Sequence, residues 1–192
     1  MSLRMFVAVM PPLEVVEDLA EFVEPRRERD SPLRWSSQEQ WHLTLAFLPA
    51  VADRDLDELV ERLAEVAGRR NEFELRLQGA GSFPNPAQGK VLWMGVAGDT
   101  APLERLSASS RSAAVRAGVE VDGSKFRPHL TLARASRPME LTRWLRVFEL
   151  YSGPSWQVDE IALIQSQPGH GGSRYTVHEV FPLGVGPREQ AG

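Results

Sequence analysis

The tetrapeptide His-Leu-Thr-Leu occurs twice in this chain, at residues 42–45 and 129–132, and these copies hold two of only four histidines. Both copies lie in short apolar runs, 41–48 and 126–133, which predict β-strands. Residues two apart in a strand point to the same face, so His42 lies beside Thr44 and His129 beside Thr131, with the leucines turned into the core. Two such pairs brought together would form a site suited to acid–base chemistry on a phosphate.

The order of the remaining strand and helix signals predicts how these two strands meet. The signals read β-α-β-α-β-β-α-β-α-β-β, with a helix before and after each motif strand. This indicates a loose internal duplication in an α+β fold, with two lobes whose motif strands face each other across a groove. We predict one bilobal domain over residues 1–184, a loop at the Gly- and Pro-rich segment 79–89, and a frayed tail at 185–192.

Composition excludes several classes of site and partner. The chain has 192 residues, a net charge of −4 and no cysteine, which removes disulfides, thiolate metal sites and a cysteine nucleophile. A chain of this charge is suited to holding one or two phosphates at a local basic patch rather than a long duplex. The apolar run 5–10 is too short for a signal peptide, and no segment approaches the ~20 apolar residues of a membrane span. We therefore expect a cytoplasmic location and no membrane partner.

Several segments together carry a resemblance to a known family. They read RMFVAV at 4–9, WHLTLAFL at 41–48, FRPHLTLAR at 126–134 and RYT at 174–176, with Ser166 between the last two. The chain resembles the 2H phosphoesterases, which carry two His-x-Thr-x motifs about half a chain apart. Within them it is most similar to the RNA 2′,3′-cyclic phosphodiesterase branch, also called the 2′-5′ RNA ligase branch.

The resemblance implies a fold, an activity and roles for particular residues. The fold is two antiparallel sheets facing a central groove with helices outside, and the activity is metal-independent opening of RNA 2′,3′-cyclic phosphates to 2′-phosphates. His42 would protonate the leaving O3′ and His129 would activate water, while Thr44 and Thr131 would donate hydrogen bonds to phosphate oxygens. Substrate binding is expected from Arg127, which shares the face of His129 if the strand is already regular there, and by resemblance from Arg174 and Tyr175. No cofactor and no metal are implied, and we expect a monomer.

Two alternatives remain open at this level. The same enzyme class could act on a small nucleotide, such as an ADP-ribose cyclic phosphate, or on a 2′-5′ linked oligonucleotide. The fold could also serve as a non-catalytic RNA-binding module, although binding alone does not need a paired acid and base. His170 and His178 lack a motif partner and are interpreted as structural, and Arg127 and Arg134 could be ordinary solvated arginines. Ligation through a 2′-5′ bond would follow from microscopic reversibility.

Overall fold

The computed structural model describes residues 2–27, 31–169 and 172–184, and these form nine strands and four helices. The predictions for His170 and for the tail at 185–192 lie outside the described residues. In chain order the elements are β1 (Ser2–Val9), α1 (Leu13–Val23), β2 (Leu33–Trp35), β3 (Leu43–Ala52), α2 (Asp53–Gly68), β4 (Phe73–Phe83), β5 (Gly89–Gly98), α3 (Thr100–Arg116), β6 (Leu130–Met139), α4 (Thr142–Phe148), β7 (Trp156–Val158), β8 (Glu160–Gly169) and β9 (Gly172–Pro182).

The strands form two antiparallel sheets that repeat the same arrangement. The first sheet has the order β3-β1-β8-β9 and the second has the order β2-β6-β5-β4-β7. If β3 is matched with β6, then β1, β8 and β9 match β5, β4 and β7, and only β2 has no counterpart. The predicted α+β fold with a pseudo-twofold relation is therefore confirmed, and the two motif strands occupy equivalent places in the two sheets.

The helices cover the outer surfaces of the sheets because each has one apolar face. In α1 the buried residues Val15, Leu19 and Val23 recur every fourth position, which is the spacing of a single helical face. Helices α2 and α3 pack on each other and against the first sheet, while α4 packs against β4 and β5 of the second. On its inner surface the first sheet carries a separate small apolar cluster of Phe6, Ala8, Ala162 and Ile164. The inner faces of the sheets are thus left for the groove.

The structure corrects three element predictions. The short strand β2 was not predicted, because three residues are too few to show a period of two. The second motif strand begins at Leu130 instead of residue 126 and continues past Pro138 to Met139; Pro128 lacks the N–H that a ladder position needs. The predicted loop at 79–89 is shorter than expected and covers only residues 84–88, since β4 continues to Phe83 through a register shift near Gly79, where φ is +80°.

Candidate active site

Each motif histidine lies one residue before its strand begins and is held in the same way. The Nδ1 atom of His42 is 2.7 Å from the Gln40 carbonyl oxygen, and the Nδ1 atom of His129 is 2.7 Å from the Arg127 carbonyl oxygen. A carbonyl can only accept, so Nδ1 carries the proton that it donates in both rings. The lone pair of each neutral imidazole is therefore on Nε2, where it can exchange a proton with a substrate.

The turn that holds His42 is also tied to the far edge of the first sheet. Gln40 closes the 3₁₀ turn Gln38–Gln40 through a capping box with Ser37. Its side-chain amide donates to the Ser173 carbonyl at 2.9 Å, at the start of β9. The same residue thus orients the imidazole through its backbone and anchors the segment through its side chain.

Both histidines and both threonines line one groove of about 400 Å³ between the sheets. A volume of this size is in the range of small-molecule sites and would admit a nucleotide. Apart from these four residues the groove is lined by Arg4, Phe6, Arg34, Trp35, Ser36, Gln40, Phe47, Arg134, Ser166, Gly172, Ser173 and Tyr175. The two sequence motifs therefore form one site.

Both motif strands contain an irregularity directly after the threonine. Leu45 in β3 and Leu132 in β6 have no partner in the neighbouring strand, and the register shifts at each of them. The carbonyl of Leu45 accepts the buried Ser107 hydroxyl at 2.6 Å, and the carbonyl of Leu132 accepts the Ser36 N–H at 2.8 Å. These irregularities are β-bulges, and the carbonyl at each one accepts a hydrogen bond from a residue outside the β3–β1 and β6–β5 strand pairs.

The bulges decide which residues follow the threonines on the groove face. An extra residue moves the alternation by one position, so Ala46 and Ala133, which strict alternation would place in the groove, are buried in the core. Phe47 and Arg134 face the groove in their place. These two residues occupy equivalent positions in the two lobes, but one supplies an aromatic ring and the other a positive charge.

Aromatic rings surround each imidazole. Phe6 stacks on His42 with the ring centroids 4.5 Å apart and the planes at 26°, and Tyr175 meets His42 edge-on at 5.4 Å. On the other side, Phe83 meets His129 edge-on at 4.9 Å. These contacts restrict the orientation of both rings and remove them partly from water.

Burial also sets the protonation of the pair. It lowers the pKa of His42 to about 4, with the charges of His129 and Arg134 acting in the same direction against the hydrogen bond to the Gln40 carbonyl. Burial likewise lowers the pKa of His129, assisted by the charges of Arg134 and Arg127. Both rings are therefore neutral near pH 7 until an anion enters the groove, since a nearby negative charge favours protonation.

Not all of the predicted substrate-binding residues reach the groove. Tyr175 does, but Arg127 and Arg174 are exposed and do not line it. The Arg127 guanidinium lies 5.8 Å from the centroid of the Phe83 ring, and it is the backbone of Arg127 that contacts His129. The condition for Arg127 to share a strand face with His129 is not met, because residues 126–129 lie outside any strand. Substrate binding by Arg127 and Arg174 stays a prediction.

Sequence reasoning missed three arginines that line the groove, Arg4, Arg34 and Arg134. Arg4 had a readable signal, since it alternates with Phe6 on the same face of β1. Strict alternation would place Arg134 on the core face of β6, so only the bulge shows that it faces the groove, and Arg34 belongs to β2, which was not predicted.

Outside the groove, His178 is exposed on β9, in agreement with its having no motif partner. Among the described residues there is no group of three or more histidine, cysteine, aspartate or glutamate side chains that could hold a metal ion.

Comparison with known proteins agrees with this geometry. Residues 12–170 match the model of the 2′-5′ RNA ligase superfamily. The chain belongs to the 2′-5′ RNA ligase superfamily. Its membership confirms the resemblance to the 2H phosphoesterases that the sequence motifs indicated.

Individual members of the superfamily extend the comparison. An RNA 2′,3′-cyclic phosphodiesterase of Aeropyrum pernix is 33% identical over 78% of this chain and 86% of its own length. One from Thermus thermophilus is 33% identical over 98% of this chain and 95% of its own length. The crystal structure of E. coli LigT with 3′-AMP has a TM-score of 0.78 at 27% identity, covering 95% of this chain and 99% of LigT.

None of the helices in the described parts of the chain has the length and apolar character needed to cross a membrane.

Proposed function

We propose that this chain hydrolyses RNA ends that carry a 2′,3′-cyclic phosphate and releases a 2′-phosphomonoester. The observation that carries the proposal is the pair of imidazoles held by equivalent Nδ1 hydrogen bonds on one groove, each two residues before a groove-facing threonine. Membership of the 2′-5′ RNA ligase superfamily and the names of the relatives support the choice of substrate.

The reaction uses the two imidazoles on opposite sides of phosphorus. His129 Nε2 takes a proton from water, the water oxygen attacks phosphorus, the P–O3′ bond breaks, and His42 Nε2 donates its proton to the leaving O3′. The pseudo-twofold relation of the motif strands supports this opposed placement, and the family pattern supports the assignment of donor and acceptor. At the end His42 is neutral and His129 protonated, and exchange with solvent restores the starting state.

Substrate binding favours the protonated form of His42 that the scheme needs, and the proton itself comes from solvent. His129 is neutral near pH 7 and ready to act as the base, because its pKa is lowered by burial. His42 must be protonated, and the negative charge of the cyclic phosphate favours that form by raising the pKa of a ring in contact with it. The bound phosphate is therefore both the substrate and the group that keeps the general acid, His42, protonated.

The remaining groove residues stabilise the charge on the phosphate. The hydroxyls of Thr44 and Thr131 donate to the non-bridging oxygens, where negative charge increases in the transition state. Arg134 adds a positive charge near both imidazoles. With imidazoles for acid and base and a guanidinium for charge, the scheme needs no metal or cofactor. The same groups run in reverse would join RNA ends through a 2′-5′ bond.

The test is turnover of an oligoribonucleotide with a 2′,3′-cyclic phosphate end in the presence of EDTA, with the product phosphate position identified. We expect a 2′-phosphate, and a loss of about 10²–10⁴-fold in kcat for both His42→Ala and His129→Ala, since each removes one acid–base group. His178→Ala is the matched control, because this histidine is exposed on β9 outside the groove. Activity that needs a metal and survives either motif substitution would contradict the proposal. Tight RNA binding without turnover would favour a binding module instead.

A further inference from the structure

Two arginines face each other directly across two strands of the groove wall. Arg34 of β2 is the register partner of Arg134 of β6, and both are exposed and line the groove. Like charges directly opposite each other destabilise an antiparallel pair. Within the described ranges, neither guanidinium lies within 4 Å of a carboxylate. A bound anion would relieve this repulsion.

The two arginines differ in their relation to the reacting centre. Arg134 lies on β6, the strand that carries Thr131, and its charge lowers the pKa of both motif histidines. Arg34 lies on β2, the edge strand beyond β6, so it is one strand further from the centre of the second sheet. Arg134 is therefore the nearer of the two to the reacting phosphate, and Arg34 lies further along the wall. Strand β2, which carries Arg34, has no counterpart in the first sheet, so it extends the groove on one side only.

We propose that Arg34 binds the phosphate group on the 5′-oxygen of the nucleotide that carries the cyclic phosphate. This inference rests on the proposed function and deepens it, because it names a second phosphate group that the substrate must carry. One ribose separates the two phosphates, and two arginine side chains that begin about 5 Å apart on neighbouring strands can diverge to reach both. That phosphate is a diester at the end of an RNA chain and a monoester in a free nucleotide.

The experiment compares three substrates with wild-type protein and with Arg34→Gln. They are adenosine 2′,3′-cyclic phosphate, the same compound with a 5′-monophosphate, and the dinucleotide ApA with a 2′,3′-cyclic end. We expect Arg34→Gln to lower the kcat/KM ratio of the dinucleotide to the nucleoside about tenfold, as for the loss of one charge-assisted hydrogen bond. Arg137→Gln removes an exposed charge from β6, the strand next to β2, outside the groove, and should leave the ratio unchanged.

The pattern across the substrates identifies the source of the phosphate. If Arg34→Gln lowers kcat/KM for the dinucleotide relative to the nucleoside, Arg34 binds the phosphodiester of an RNA end. If kcat/KM falls only for the 5′-monophosphate, Arg34 binds the phosphate of a free nucleotide. An unchanged ratio for both, or an equal loss on all three substrates, would overturn the inference.

A binding experiment keeps the inference separate from the proposed function. If wild-type protein turns over none of the substrates, the proposed function fails, and the dissociation constants of adenosine 2′-phosphate and adenosine 2′,5′-bisphosphate are measured instead. Arg34→Gln should reduce the preference for the bisphosphate about tenfold. An unchanged preference would overturn the role of Arg34 whatever the enzyme activity.

Discussion

The two imidazoles determine how activity should depend on pH. The general acid must be protonated and the general base neutral, and burial lowers the pKa of both, that of His42 to about 4. Activity is therefore lost as pH rises above the higher of the two values in the free enzyme and as it falls below the lower one. We predict a bell-shaped profile of kcat/KM whose optimum lies below about pH 6.5, the ordinary value for histidine. The profile of kcat should be displaced to higher pH, because the bound anion raises the pKa of both rings.

Steady-state kinetics from pH 4 to pH 9 at constant ionic strength would give both profiles. A kcat/KM optimum at or above pH 7.5 would contradict the neutral resting state of the pair. Equal optima for kcat and kcat/KM would show that the substrate does not change the protonation of the imidazoles.

The threonine hydroxyls provide a second prediction at the level of single residues. Thr44→Val and Thr131→Val keep a β-branched side chain of similar shape and remove only the hydroxyl. If each hydroxyl stabilises charge in the transition state, each variant should lose about 10²–10³-fold in kcat with little change in thermal stability. Thr176→Val, at an exposed position of β9, is the matched control. A rise in KM with kcat preserved would instead assign the hydroxyls to ground-state binding.

The sequence predicted the residues of the repeated motif but not the charge that accompanies them. An exact repeat in a strand context predicts that each motif histidine and its threonine lie together, because residues two apart in a strand share a face. Arg134 would share the face of Leu130 and Leu132 if strict alternation continued along the strand, and the bulge that turns it into the groove depends on the partner strand rather than on local sequence. Arg127 was placed on the strand face of His129 because the regular strand was extended back through Pro128, whereas β6 begins only at Leu130.

At the scale of elements, the bulge in β3 depends on a helix from the outer layer. The Leu45 carbonyl accepts the buried hydroxyl of Ser107 in α3. Ser107→Ala would leave this carbonyl unsatisfied, so we predict a loss of about 1–3 kcal/mol in the free energy of unfolding. Because the bulge sets the positions of Thr44 and Phe47, kcat/KM should fall as well, under conditions where the protein is still folded.

The same helix provides the control for this prediction. Ser110 is equally buried, but its hydroxyl has no hydrogen-bond partner among the described residues. Ser110→Ala should therefore be neutral or stabilising, because it removes an unsatisfied polar group. Chemical denaturation of both variants makes the comparison. Equal destabilisation would mean that side-chain volume, and not the bulge carbonyl, determines the effect.

Element boundaries show which parts of the fold local sequence could predict. The four helices have apolar faces, and all four appear in the predicted order of strand and helix signals. Strand β4 was cut short because Gly79 and Gly81 resemble a loop, yet a side chain at Gly81 would clash with the Trp93 ring, since a Cβ atom there would lie 2.1 Å from the nearest ring atom. Glycine there reflects close packing between strands, which only the assembled sheet reveals.

At the scale of the whole molecule, the duplication supplies a symmetric centre that the rest of the chain makes asymmetric. The imidazoles, threonines and bulges repeat in both lobes. Phe47 and Arg134 then differ at equivalent positions, and β2 extends only the second sheet. A symmetric acid–base pair suits in-line displacement, whereas the asymmetric surroundings allow a nucleotide to bind in one direction.

The overall charge predicts how far an RNA chain is recognised. With 26 acidic against 22 basic residues and only two lysines, the surface offers no general attraction for a polyanion, and the arginines at the groove are a local exception. We predict that KM falls from a cyclic nucleoside phosphate to a dinucleotide and then remains level for longer oligoribonucleotides. The slope of log(kcat/KM) against log[salt] should correspond to one or two phosphates, at about −0.7 for each. Measuring both series from one to ten nucleotides tests this directly, because a site that follows the RNA backbone would give a slope and an affinity that increase with every added nucleotide.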